Sequence, residues 1–216
     1  MPTRKIINRL IAGFKGFHAY YYEQRGELFE SLVNDGQHPP IMLIGCSDSR
    51  VDPAIMLHFE PGDVFTVRNV GNLVPPYEPG GPHAGVCAAL EFGVRDLVVS
   101  HIVVLGHSQC GGIHELVRLA RQPDADDREF LSVWVSIGAR AVERCAEALR
   151  DCKGDEVPRQ IEQATVALSV ENLMTYPWIA ERVRRERLTL HGWWADLQVG
   201  ELWGLDQATG VFSKLC

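Results

Sequence analysis

Residues 41 to 50, Ile41-Met42-Leu43-Ile44-Gly45-Cys46-Ser47-Asp48-Ser49-Arg50, decide the fold, because a strand-like apolar run ends abruptly in a Gly-flanked polar loop. The pattern recurs at Ile102-Val103-Val104-Leu105-Gly106-His107-Ser108-Gln109-Cys110-Gly111-Gly112. Two strands of this kind in a parallel sheet put their loops on one edge, where α/β proteins hold ligands. Cys46, His107 and Cys110 then read as one zinc site drawn from both loops. Two thiolates and one imidazole leave the fourth tetrahedral position for water or substrate, which is the arrangement of a catalytic zinc rather than a structural one. Cys46 and Arg50 enclose too few residues to wrap an anion as a cysteine phosphatase loop does. Asp48 and Arg50, at a spacing of two, can turn to one side of an extended segment and form a bidentate pair that orients the carboxylate and keeps it ionised.

Outward from these loops, strand-like runs fall at 41–45, 63–68, 100–105 and 187–194, separated by helical patterns at 83–97, 112–121, 127–150 and 159–174. The alternation predicts an α/β fold with a mostly parallel central sheet flanked by helices. Ile6, Leu10, Phe14 and Phe17, followed by Tyr20 to Leu32, have helical spacing and stop at Asn34-Asp35-Gly36, so residues 1–36 are expected to form an N-terminal helical arm. Gly192, Gly200 and Gly204 punctuate an apolar tail that suits a C-terminal antiparallel edge hairpin. One domain spanning 1–216 is the expectation.

Composition narrows the function classes. With 216 residues, 46% hydrophobic and 23% charged, the chain can bury a sizeable core. A formal charge of −7 disfavours nucleic acid or an anionic membrane as partner, and the mixed run Arg182 to Arg187 reads as a solvated helix face. Arg4, Lys5, Arg9 and Lys15 interrupt the apolar positions before Phe17, which leaves no signal-peptide core or membrane span there; a cytoplasmic protein is expected. Six cysteines are too few for a disulfide scaffold; with Cys46 and Cys110 assigned to metal, Cys87, Cys145, Cys152 and Cys216 are read as free thiols.

The two loops resemble the signature pair of the β-class carbonic anhydrases, closest to the plant-type, open-site subgroup. Further matches run through Val67-Arg68-Asn69-Val70-Gly71-Asn72-Leu73-Val74, Gly85 to Phe92, and Glu201-Leu202-Trp203-Gly204-Leu205, so the similarity covers nearly the whole chain. The resemblance implies one Zn(2+) per chain and reversible hydration of carbon dioxide to bicarbonate and a proton by zinc-bound hydroxide, with Asp48 and Arg50 as catalytic residues. It places Phe65, Val70 and Phe92 around a small apolar substrate pocket, Gln37 at its mouth, and Gly111 where a backbone N–H meets the oxygen that turns negative. It also implies an arm packed on a neighbouring subunit, hence a homodimer or a dimer of dimers. Two thiolates neutralise the zinc, so ionisation of its water is expected above the roughly pH 7 of a three-histidine site.

One departure from the family pattern matters. Members with a non-catalytic bicarbonate pocket that locks a closed form carry a Trp and a Tyr where this chain has Leu43 and Ala195; of that pocket only Arg68 remains. The lock is therefore expected to be absent. An alternative at the same site is hydrolysis of carbonyl sulfide or carbon disulfide. A different class of function, a non-catalytic zinc or thiol redox-sensing module, has no use for Asp48, Arg50 or Gln37.

Overall fold

The computed structural model describes residues 2–122, 128–151 and 157–216; Cys152 and residue 127, where a helix was expected to begin, lie outside them. Six strands form one sheet: β1 (Ile41–Cys46), β2 (Val64–Asn69), β3 (His101–His107), β4 (Thr189–Asp196), β5 (Glu201–Asp206) and β6 (Val211–Lys214). Their order is β2-β1-β3-β4-β5-β6. The first four are parallel and the last two run antiparallel. The expected strands are all present, each displaced by a residue or two, and the expected edge hairpin carries a third strand, β6.

β1 and β3 are buried along nearly their whole length, which explains apolar runs without alternation. The described helices are α1 (Pro2–His18), α2 (Gly26–Asn34), α3 (Pro53–Leu57), α4 (Ala84–Glu91), α5 (Gly111–Arg121), α6 (Leu131–Val135), α7 (Ala139–Arg144), α8 (Ala146–Asp151), α9 (Arg159–Leu173) and α10 (Pro177–Arg184), of which α4 and α9 cover one face of these strands. Met42, Ile44, Ile102, Val104 and Leu190 face Val166, Val170 and Leu173 of α9 and Leu90 of α4 in the largest core. Gly106 permits that approach, since a Cβ there would lie 2.4 Å from Val166 Cγ2. Leu43, Val103, Leu105 and Ala195 form a smaller apolar cluster with Met56 and Leu202.

Four departures from the sequence reading have local causes. The helix expected over 127–150 is divided into α6, a 3-10 turn at Ser136–Gly138, α7 and α8. That turn ends at Gly138, where a Cβ would lie 2.6 Å from Leu116 Cδ2, so the chain packs this closely on α5 only because the residue has no side chain. α3 is short enough to escape periodicity, yet its start is encoded: Asp52 Oδ1 accepts from the Ala54 and Ile55 amides, and Pro53 takes the first helical position. α4 continues as a π-helical turn, Phe92–Asp96. Arg182 is not a solvated face residue: its guanidinium donates to the carbonyls of Val94 at 2.6 Å and Val99 at 2.9 Å, closing the chain before β3.

Residues 1–38 and 39–216 are two compact units. In the first, the expected arm helix is broken at Arg25 between a π-helical turn, Ala19–Gln24, and α2. Phe17 sits at the centre of a ring cluster, 5.0 Å from Tyr21 and 5.3 Å from Phe29 between centroids. That packing requires the chain to double back, which a straight helix cannot do.

Candidate metal centre

The parallel part of the sheet sets the site. β1 is central, with β2 on one side and β3 on the other, so the chain leaves β1 and β3 in opposite directions and opens a crevice at their carboxyl ends. Cys46 is the last residue of β1, His107 the last of β3, and Cys110 caps the N-terminus of α5. All three are buried, and their ligand atoms lie within 4.8 Å of one another. The turn that returns Cys110 to the sulfur of Cys46 places Gln109 in the left-handed region at φ 57°, an uncommon conformation for a residue with a side chain. Arg50 holds it there, its Nη2 donating to the Gln109 carbonyl at 2.9 Å.

The donor set fits a soft-to-borderline divalent cation. His107 Nδ1 donates to the Ser108 carbonyl at 2.8 Å, which fixes the tautomer and leaves Nε2 with its lone pair free. Nε2 is buried and has no hydrogen-bond partner among the described residues, a costly state for an imidazole nitrogen unless a cation takes it. The Cys46 and Cys110 sulfurs are 3.8 Å apart. The Cys110 thiol pulls Cys46 well below the usual thiol range by donating to it, and the same bond pushes Cys110 well up. A divalent cation bound by both sulfurs replaces the proton of that bond. The Gly71 amide donates to Cys46 Sγ at 3.4 Å, a further bond that favours thiolate.

Asp48 and Arg50 form the bidentate pair that their spacing suggested. Arg50 Nη2 donates to Asp48 Oδ2 at 2.7 Å and Nε to Oδ1 at 3.0 Å, while the Arg50 amide donates to Oδ1 at 2.9 Å. These bonds hold the Asp48 carboxyl well below the usual carboxylate range. Oδ2 lies 4.0 Å from His107 Nε2, beside the three ligands and outside their group.

Two residues carry functions that the sequence did not suggest. Arg68 donates from Nε to the Cys46 carbonyl at 2.9 Å, from Nη2 to the Asp48 carbonyl at 2.8 Å, and from Nη1 to Asp52 Oδ2 at 2.9 Å. It clamps the whole Cys46 to Asp52 loop. Glu162 is buried on α9, far away in sequence, and accepts from the Cys110 amide at 3.4 Å; burial pushes its carboxyl up to about 7. No spacing in the sequence signals that contact.

Of the residues expected around substrate, Val70 follows β2 directly and its Cγ1 lies 2.8 Å from where a Gly112 Cβ would be, against the start of α5. Gly111 is exposed, with open space where its side chain would stand. Phe65 and Phe92 pack on each other at 5.8 Å. In register, however, Phe65 pairs with Met42, whereas Asn69 pairs with Cys46. Four residues of strand, about 13 Å at ~3.3 Å each, therefore separate Phe65 from the metal edge of its own chain. Gln37 is exposed and belongs to the first compact unit.

Residues 41–202 match the family model described as carbonic anhydrase. The chain is 41% identical over 203 residues to the chloroplastic β carbonic anhydrase 5 of Arabidopsis thaliana, covering 93% of this chain and 66% of that protein, so it spans just under two thirds of that relative. Among solved structures, it is similar to the β-carbonic anhydrase CcaA, with a TM-score of 0.87 and 32% identity over 98% of this chain and 93% of the other. Two tetrameric β-carbonic anhydrases from the ascomycete Sordaria macrospora are similar at a TM-score of 0.76 and 28% identity, covering 98% of this chain and 97% of theirs. A matched model over most of the second compact unit, together with the buried Cys/His/Cys group at its sheet edge, places the chain in the β-class carbonic anhydrase family.

Proposed function

We propose that the protein catalyses the reversible hydration of carbon dioxide at one zinc ion per chain, held by Cys46, His107 and Cys110. The observation that carries the reading is the ionised, doubly bonded Asp48–Arg50 pair beside the buried ligand group. A storage or redox metal site gains nothing from an oriented carboxylate at its rim. When bound, zinc would supply the Lewis acidity that makes water easier to ionise. The chain supplies the rest. Asp48, kept ionised and aimed by Arg50, accepts the hydrogen bond of the attacking water and turns its lone pair toward carbon dioxide. Val70 offers an apolar wall to a substrate without a net dipole and the Gly111 amide meets the oxygen that gains charge, while Phe65, Phe92 and Gln37, which the resemblance assigns to the substrate pocket, would serve it from a second copy of the chain. The experiment that tests this reading is stopped-flow hydration of the wild type against its zinc content.

The bicarbonate lock has no counterpart in this chemistry. Leu43 and Ala195 lie in one apolar cluster, and Arg68 is committed to the metal loop. Hydration should therefore rise as pH climbs through the neutral-to-alkaline range along an ordinary single ionisation, placed above neutrality by the two thiolates. Added bicarbonate should not sharpen it. A steep, bicarbonate-dependent loss of activity below about pH 8, or a crystal structure at neutral pH with the Asp48 carboxylate on zinc, would contradict this.

Assembly is part of the same proposal. α1 exposes Ile6, Ile7, Leu10, Ile11 and Phe14, more apolar surface than a lone helix keeps in water. A homodimer or dimer of dimers covers it. Light scattering should give a multiple of the 24.1 kDa chain, and a stable, active monomer at that mass is the opposing result. Among the described residues no helix is long and apolar enough to cross a membrane.

A further inference from the structure

Hydration of carbon dioxide releases one proton per turn, so a group near the metal edge must take it and pass it to buffer. We infer that His83 is that proton relay, an inference that rests on the hydration reading. A cavity of about 340 Å³ opens beside the carboxyl end of β2, lined by Asn69, Val70, Pro82, His83, Gly85, Val86 and Trp134. Asn69 is the register partner of Cys46, and Val70 begins the turn whose Gly71 amide reaches Cys46 Sγ. The cavity is thus next to the ligand group, with room for on the order of ten waters at ~30 Å³ each. His83 is its one titratable lining residue.

The imidazole is held but not engaged. Its ring meets Trp134 edge to face at 5.3 Å between centroids, and Trp134 Nε1 donates to the Val70 carbonyl at 2.7 Å, which ties that wall to the metal turn. His83 stands at the N-terminus of α4 without capping it, and neither ring nitrogen bonds to any described residue. A relay needs both nitrogens: one takes a proton from the hydrating water through the cavity waters, and the other gives a proton to a buffer base outside. The oxygen left behind becomes the third oxygen of bicarbonate, so atoms and charge balance.

Other histidines are placed differently. His101 and His191 bond to each other at 3.2 Å, and His101 opens β3 at the end remote from His107. His58 ends α3, exposed. His114 is the nearest rival, exposed on α5 and lining a separate cavity of about 730 Å³ that Cys110 and Gly111 also line, which is why it stands in the test beside His83.

The test compares wild type, His83→Ala, His83→Gln and His114→Ala at equal zinc content in stopped-flow hydration. In dilute buffer both His83 variants should lose about tenfold or more in kcat with kcat/KM unchanged, because carbon dioxide is attacked before the proton leaves. Concentrated imidazole should restore them. By NMR, the ring signal missing from the His83 variants should respond to pH in the wild type. Undiminished kcat in dilute buffer, no rescue by imidazole, a pH-silent ring, or the same loss in His114→Ala would each overturn the relay. A zinc-replete wild type without hydration would instead sink the parent reading.

Discussion

Replacing Cys110 with serine should reduce bound zinc from about one ion per chain to a small fraction of that and take hydration down to the buffer rate. Cys110 is the ligand most dependent on its surroundings. It is placed by a left-handed Gln109, its amide is held by Glu162, and its thiol is pushed up by the bond to Cys46. A serine hydroxyl keeps the cap position at α5 but ionises far less readily than a thiol, so the fold should survive. Elemental analysis of the folded variant checks this. Zinc retained in full would falsify the ligand assignment, since it would leave the metal held elsewhere.

Asp48→Asn should have the opposite signature, with zinc content intact and kcat down by about 10²- to 10⁴-fold, the usual range for losing a positioned base. Asn is isosteric and can still accept one bond from Arg50, so the loop clamped by Arg68 stays in place. What disappears is the negative charge that aims the water. Arg50→Lys should follow part of the way, because an ammonium cannot reproduce the two parallel bonds at 2.7 and 3.0 Å or the bond to the Gln109 carbonyl. Joint measurement of zinc and rate separates the two roles. A redox or storage site would show no rate to lose, and a Asp48→Asn variant that hydrates normally would remove the base from the mechanism.

Much of this was legible in the chain because the decisive signals are local. Ile41 to Ile44 and Ile102 to Leu105 are strands by their apolar runs, and the candidate ligands follow directly at Cys46, His107 and Cys110. Asp48 and Arg50 are two residues apart, so their pairing needs no tertiary information. What could not be read depends on contacts between distant segments. Glu162 meets Cys110 across 52 positions, and Arg68 meets the metal loop across a strand pairing. Gly138 looks like a tolerable glycine within a helix until Leu116 is seen against it. The break at Arg25 likewise follows from ring packing between Phe17 and Phe29, which a linear pattern of apolar residues does not announce.

The most direct test of the central claim is the hydration rate of the wild-type protein, followed by stopped flow in samples loaded to graded zinc contents, with carbonyl sulfide hydrolysis measured alongside. The account predicts a carbon dioxide rate proportional to zinc, extrapolating to full activity at one ion per chain, and a far slower rate on carbonyl sulfide. Zinc-replete protein that leaves carbon dioxide at its uncatalysed rate, or that turns over carbonyl sulfide faster, would contradict it.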